Sequence, residues 1–138
     1  MSDIKRVTEL HIISKLSAAV SGHNFYPFFG GTAFADKDEV EPPLSVVAIV
    51  DAEKVMQHEG TWFLTGSVQV ITHVADISSQ AHASLSRSIY GALDSIPAEI
   101  VSAAYSFHGI HITGMSSSTD SESQCHADII KFVCGVGG

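Results

Sequence analysis

Residues 44–97 organise the rest of the chain and begin with the run Leu44-Ser45-Val46-Val47-Ala48-Ile49-Val50. This run is short, nearly all apolar and rich in β-branched residues, which is typical of a strand covered on both faces. From Thr61 to Ala75, apolar residues fall at alternate positions, which is the period of a half-buried strand. Because a polar, charged connection at residues 51–60 joins the two runs, they predict a long, projecting hairpin. Gly66 is the expected position of a bend or bulge.

The period changes after Asp76, where apolar residues recur every three or four positions and predict a helix over Ser79–Ile96. A similar stripe predicts a first helix over Asp3–Val20, ended by Gly22. Two later apolar segments, Tyr105–Met115 and Ala127–Val136, predict the last strands. The predicted fold is α+β, with a mixed or antiparallel sheet of about four to five strands and both helices packed on one face.

The length of 138 residues predicts a single domain over 1–138. Within it, glycines, prolines and acidic residues predict a long loop at 23–43, a serine-rich stretch predicts a flexible loop at 116–124, and glycines predict a frayed tail at 135–138. A loop of about 20 residues is uncommon in a compact domain unless it has a function. The aromatic residues of this loop either fold back onto the sheet or dock on a partner.

The composition excludes some classes of partner. The chain has 7 basic and 15 acidic residues and a net charge of −8, which disfavours a nucleic-acid backbone as the main partner. It has no apolar run of about 18 residues and begins with polar residues, so we expect no membrane partner and synthesis in the cytoplasm. The two cysteines, Cys125 and Cys134, fit a reducing compartment, in which free thiols are favoured over a disulfide.

The residues that could carry chemistry show no recognised spacing. Of the eight histidines, His108 and His111 lie three apart, and on a regular strand they would point to opposite faces. His126 and Asp128 share a face, but no further ligand lies at a metal-binding spacing. No serine lies in a nucleophile elbow, and the Gly30-Gly31 pair is too short for a phosphate loop. We therefore expect no metal, no cofactor and no enzyme activity. The alternative is a small-molecule-binding or enzymatic α+β domain that uses the His and Asp residues of the last two strands.

The order of these elements resembles the tail-terminator and tail-completion proteins of long-tailed bacteriophages. The resemblance covers most of the chain, includes Pro42-Pro43 before the buried strand and Ile89-Tyr90-Gly91-Ala92-Leu93-Asp94 near the end of the helix, and is one of architecture, without a diagnostic motif. It implies a non-catalytic virion protein of the tail or neck, usually a ring of six subunits, that caps the tail tube and connects it to the neck protein. DNA would only pass through its channel. A head-side neck (head-completion) protein and a component of a phage-like secretion apparatus share much of this pattern.

Two segments are longer than the domain itself requires, and we expect neighbouring subunits and the tail tube to bind there. They are the hairpin end at Asp51–Gly60 and the loop His23–Glu41. The predicted interface residues are Phe25, Tyr26, Phe28, Phe29, Phe34, Asp51, Glu53, Lys54, His58 and Glu59.

Overall fold

The computed structural model describes residues 2–28, 43–55, 60–102, 104–120 and 124–137, which form two helices and six strands. Neither helix in this part of the chain is long and apolar enough to cross a membrane. The elements, in chain order, are α1 (Ser2–Ala19), β1 (Asn24–Pro27), β2 (Leu44–Lys54), β3 (Thr61–His73), α2 (Ser79–Asp94), β4 (Glu99–Ser102), β5 (Tyr105–Asp120) and β6 (Cys125–Gly137).

The strands form one mixed sheet in the order β1-β2-β3-β6-β5-β4, which curls into a half-barrel. Only β1 and β2 pair in parallel, and every other neighbouring pair is antiparallel. The last strand of the chain, β6, lies in the middle of the sheet between β3 and β5. The β6 strand therefore joins the part of the sheet formed by β1, β2 and β3 to the part formed by β5 and β4.

The main core lies between the concave face of the sheet and the two helices. Side chains that alternate along each long strand point into it, as expected for strands with one buried face. On β2 the run is buried on both faces, since both Val46 and Val47 are almost inaccessible, which confirms the interpretation of this run. The core residues from the helices and the four long strands are Ile12, Leu16, Ile89, Leu93, Val47, Ile49, Leu64, Val68, Val70, Tyr105, Phe107, Ile130, Phe132, Cys134 and Val136.

The predicted fold of about four to five strands is wrong, because the half-barrel has six. The additional strands, β1 and β4, have four residues each and fall in segments that the sequence assigns to connections. Four residues are too few to show a period of two. Such strands are determined by the neighbour with which they pair, β2 for β1 and β5 for β4.

The hairpin is not a projecting arm, which corrects the second part of that prediction. The β3 strand pairs with β6 along its whole length, from Thr61 opposite Gly137 to His73 opposite Cys125. The β2 strand continues to Lys54, so residues 51–54 belong to the sheet rather than to a polar tip. The bulge expected near Gly66 lies on the facing strand, between Ile49 and Asp51. There the fully buried Glu9 of α1 accepts a hydrogen bond from the Ile49 amide at 2.8 Å.

Two segments expected to be mobile are strands where the structure describes them. Residues 116–120 extend β5, because they pair with residues 125–129 of β6. Residues 135–137 belong to β6, and Val136 is fully buried between Trp62 and Phe107 on the neighbouring strands. Composition alone misassigned both segments, since pairing with another strand can order serine- and glycine-rich stretches.

Candidate functional site

The expected interface residues of the 23–43 segment separate into a buried and an exposed group. Phe25 is only 9% exposed, belongs to the core and contacts the His23 ring edge-on. Tyr26 is half-buried, whereas Phe28, directly after β1, is 52% exposed. Phe29 and Phe34 lie outside the described residues. Among the three described aromatic residues of this group, Phe28 therefore offers a partner the most exposed side chain.

The expected interface residues of the hairpin lie at the end of β2. Asp51, Glu53 and Lys54 are exposed, and Glu53 lies opposite Phe63 of β3, which is 44% exposed. Val50 beside them is 60% exposed. His58 and Glu59 lie outside the described residues. This end of the sheet therefore combines charged and exposed apolar side chains, a mixture common at protein–protein interfaces.

A cleft that was not predicted from the sequence lies at the opposite end of the half-barrel, between the start of α2 and the paired strands β5 and β6. It has a volume of about 360 Å³, and its polar lining comes from three elements. The helix α2 starts at its N-cap Ser78, whose side chain accepts a hydrogen bond from the Ala81 amide. The residues that line the cleft are Ser79, His82, Ala83, Ser117, Ser118, Thr119, His126 and Asp128.

The base of this cleft holds a buried polar cluster. His82 Nδ1 lies 2.7 Å from Thr72 Oγ1, and His82 Nε2 lies 3.3 Å from Asp128 Oδ1. The second contact lacks hydrogen-bond geometry, which leaves Nε2 without a hydrogen-bond partner among the described residues. The ring of His126 lies 5.0 Å from that of His82 and contacts Thr119 Oγ1 through Nδ1 at 3.2 Å. The strand pattern predicts that His126 and Asp128 share a face. It does not predict that His82 of α2 lies beside them.

The cluster resembles a hydroxyl–imidazole–carboxylate triad only in composition. The Thr72 hydroxyl belongs to a side chain that is 1% exposed and does not line the cleft, so no substrate could reach it. Burial also raises the pKa of the Cys134 thiol to about 12, which keeps it protonated and unreactive. Neither group is suited to nucleophilic catalysis.

His108 and His111 lie on the same face of β5, and the prediction of opposite faces is wrong, because a bulge lies between Phe107 and Gly109. Gly109 has a φ of +126°, a conformation that favours glycine. The extra residue of the bulge is His108, whose side chain lies against Gly135 and Gly137, on the convex face that His111 also occupies. In the described part of the chain, no three His, Cys, Asp or Glu side chains are arranged to hold a metal ion.

A second polar cluster joins α1 to the edge strand β4. Lys15 Nζ lies 2.7 Å from Glu99 Oε1, and His11 Nε2 lies 3.4 Å from the same oxygen. The hydrogen bond from Lys15 is the main reason that the pKa of Glu99 lies below its usual value. The pKa of His11 is also lowered, mainly because burial disfavours the charged imidazole. The ring packs against Phe107, with 4.8 Å between centroids.

We expect stability to fall as the pH drops below about 6.5. Burial lowers the pKa of both His11 and His23 in the folded state, so the unfolded chain, with a histidine pKa of 6.5, binds protons more readily. Their contribution is fully present above this value and is lost on acidification. In urea unfolding between about pH 7.5 and 5.5, His11→Gln should therefore show a smaller loss of stability than the wild type.

The matched control for this measurement is His111→Gln, which removes an exposed imidazole from the convex face. If His11→Gln and His111→Gln lost stability with the same slope as the wild type, burial of His11 would not explain the acid sensitivity.

Comparison with known proteins identifies the fold. No protein-family model and no curated protein matches the chain. Among solved structures, it is similar to a chain of the structure described as "Virion of native gene transfer agent (GTA) particle", with a TM-score of 0.61 and 13% sequence identity. The similarity covers 98% of this chain and 93% of that one. At this identity the comparison shows that the two chains share a fold.

Proposed function

We propose that this protein is a non-catalytic structural component of a phage-like virion, folded as a single domain. In this proposal it forms a ring, of six subunits in the related phage proteins, that caps the tail tube and connects the tail to the neck. The supporting observation is the shared fold with a chain of a gene transfer agent virion, which extends over nearly all of both chains. The protein would be made in the host cytoplasm and contact the tail tube and neck proteins.

The surface of the described sheet suggests how subunits would meet. Both edges are poorly suited to strand addition, because β1 contains Pro27 and β4 is short and has a bulge at Val101. Exposed apolar side chains are a better means of association than backbone pairing. Phe28 and Val50 are such side chains, and on β4 Ile100 is 82% exposed. The net charge of −8 also suits a ring through which DNA passes without sticking.

Two other functions are supported by the same observation. A head-completion protein on the head side of the neck and a component of a phage-like secretion apparatus would each account for the same fold. The position along the particle therefore requires a functional test.

Deleting the gene from the particle-producing genome is expected to give tails of uncontrolled length that do not join heads. An uncapped tube end remains available for further subunits, so elongation has no defined stop. Electron microscopy of lysates would show the length distribution directly. Tails of normal length without heads would assign the protein to the head side, and normal infectious particles would contradict a virion function.

Complementation of this deletion tests the interface. Phe28→Ser removes an exposed aromatic anchor and should lower the yield of infectious particles by about tenfold or more while leaving the protein soluble. Tyr90→Ser is a suitable control, because Tyr90 is a partly exposed aromatic residue (38%) on α2. Equal yields from the two variants would argue against an interface at Phe28.

A further inference from the structure

The cleft at the start of α2 contains none of the interface residues predicted from the sequence. Among the described residues that line it there is no lysine or arginine, and Asp128 is the one with a carboxylate. Asp128 is only 4% exposed and lies directly opposite Ser117 of β5. A positive charge that enters the cleft would therefore meet the Asp128 carboxylate and no lysine or arginine among the described lining residues.

The carboxylate also lacks donors among the described residues. Its close polar neighbour there is His82 Nε2, at 3.3 Å and out of hydrogen-bond alignment. The His82 ring is held by the contact between its Nδ1 and Thr72 Oγ1. Rotating the ring to align Nε2 with the Asp128 carboxylate would break this contact. The Asp128 oxygens are not among the inaccessible side-chain atoms without a partner, so they remain open to the space of the cleft, where a ligand could reach them. A ligand that supplies N–H groups at the base of the cleft would give the Asp128 carboxylate the donors that it lacks among the described residues.

We propose that this cleft binds a positively charged nitrogen group, a guanidinium or a primary ammonium. Asp128 provides the opposite charge, and the hydroxyls of Ser79 and Thr119 accept further N–H groups at the walls. An anion would be attracted by the partial positive charge at the nearby start of α2, but the Asp128 carboxylate would repel it. The group comes either from a free amine or from an Arg or Lys side chain of another protein in the particle. The inference does not depend on ring formation.

The test is a titration of the purified, ¹⁵N-labelled protein with agmatine, which carries both a guanidinium and a primary ammonium. Amide signals of residues around Ser79, Ser117 and Asp128 should shift with saturation, and Asp128→Asn should weaken binding by about tenfold or more. Asp94→Asn, which alters an exposed carboxylate at the end of α2, should bind like the wild type. Equal affinity of Asp128→Asn and wild type, no saturation below about 50 mM agmatine, or preferential binding of inorganic phosphate would overturn the proposal.

A second pair of variants keeps the test decisive if Asp128→Asn does not fold. Ser117→Arg introduces a guanidinium opposite Asp128 and should block agmatine, whereas Ser116→Arg places the same group on the other face of β5 and should not. Unimpaired binding to Ser117→Arg would overturn the proposal. A free amine as the natural ligand predicts a Kd well below about 1 mM for agmatine or putrescine. A partner side chain predicts weaker agmatine binding together with failed particle assembly by Ser117→Arg.

Discussion

Replacing Val70 with aspartate is expected to abolish soluble expression. Val70 is fully buried on the concave face of β3 and lies directly opposite Asp128 of β6 and Ser45 of β2. The new carboxylate would be enclosed beside an existing one, with no cation among the side chains opposite it. An uncompensated buried charge costs about 3–5 kcal/mol, which is a large part of the about 5–15 kcal/mol by which domains are stable.

Gln69→Asp is the matched control for this experiment. Gln69 precedes Val70 on the same strand, points to the convex face and is half-exposed, so the same new charge should be tolerated there. Soluble yield and urea unfolding of the two variants give the comparison. Wild-type behaviour of Val70→Asp would mean that the concave and convex faces of β3 had been exchanged.

The buried face of β3 could be predicted because its signal is local. Leu64, Val68 and Val70 are fully buried, while Thr65 and Ser67 between them are half-exposed, which confirms the alternating pattern. Both helices were also located to within two residues at their ends. Alternation in a strand and the period of a helix indicate which face of the element is buried. This can be predicted without knowing which other elements pack against that face.

The predictions that were wrong concern segments whose structure depends on pairing with distant parts of the chain. The serines that extend β5 are ordered by the facing residues of β6, and β4 exists only against β5. A serine-rich stretch has the same composition whether it is a loop or a paired strand. Such segments can be assigned only when the partner strand and its register are known.

The polar residues of the cleft could also be predicted only in part from the sequence. The shared face of His126 and Asp128 was predictable from their spacing, but His82 lies 44 residues before His126 on a helix, and only the packed fold brings the two rings within 5.0 Å. The faces of His108 and His111 were predicted wrongly because His108 is an extra residue, inserted between Phe107 and Gly109 in the pairing with β6. The alternation of a strand predicts the face on which each side chain lies only as far as the next bulge.

Replacing Gly66 with valine is expected to destabilise the protein by about 3 kcal/mol or more, although valine favours strands. A Cβ at Gly66 would lie 2.6 Å from the Ala48 carbonyl oxygen, 2.8 Å from Phe132 Cζ and 2.9 Å from Ile49 Cδ1. The carbonyl cannot withdraw, because Ala48 is part of the β2–β3 ladder beside the bulge. Relief would require separating the two strands or moving a buried phenylalanine from the core.

Gly91→Ala is the matched control, because apart from its chain neighbours and the adjacent backbone of α2 no atom lies within 4 Å of the position that a Cβ would occupy. Alanine in a helix is favoured over glycine by about 1 kcal/mol, so this variant should be more stable than the wild type. Urea unfolding should therefore move in opposite directions for the two glycines. If Gly66→Val retained wild-type stability, the close approach of β2 and Phe132 to Gly66 could not be present in the folded protein.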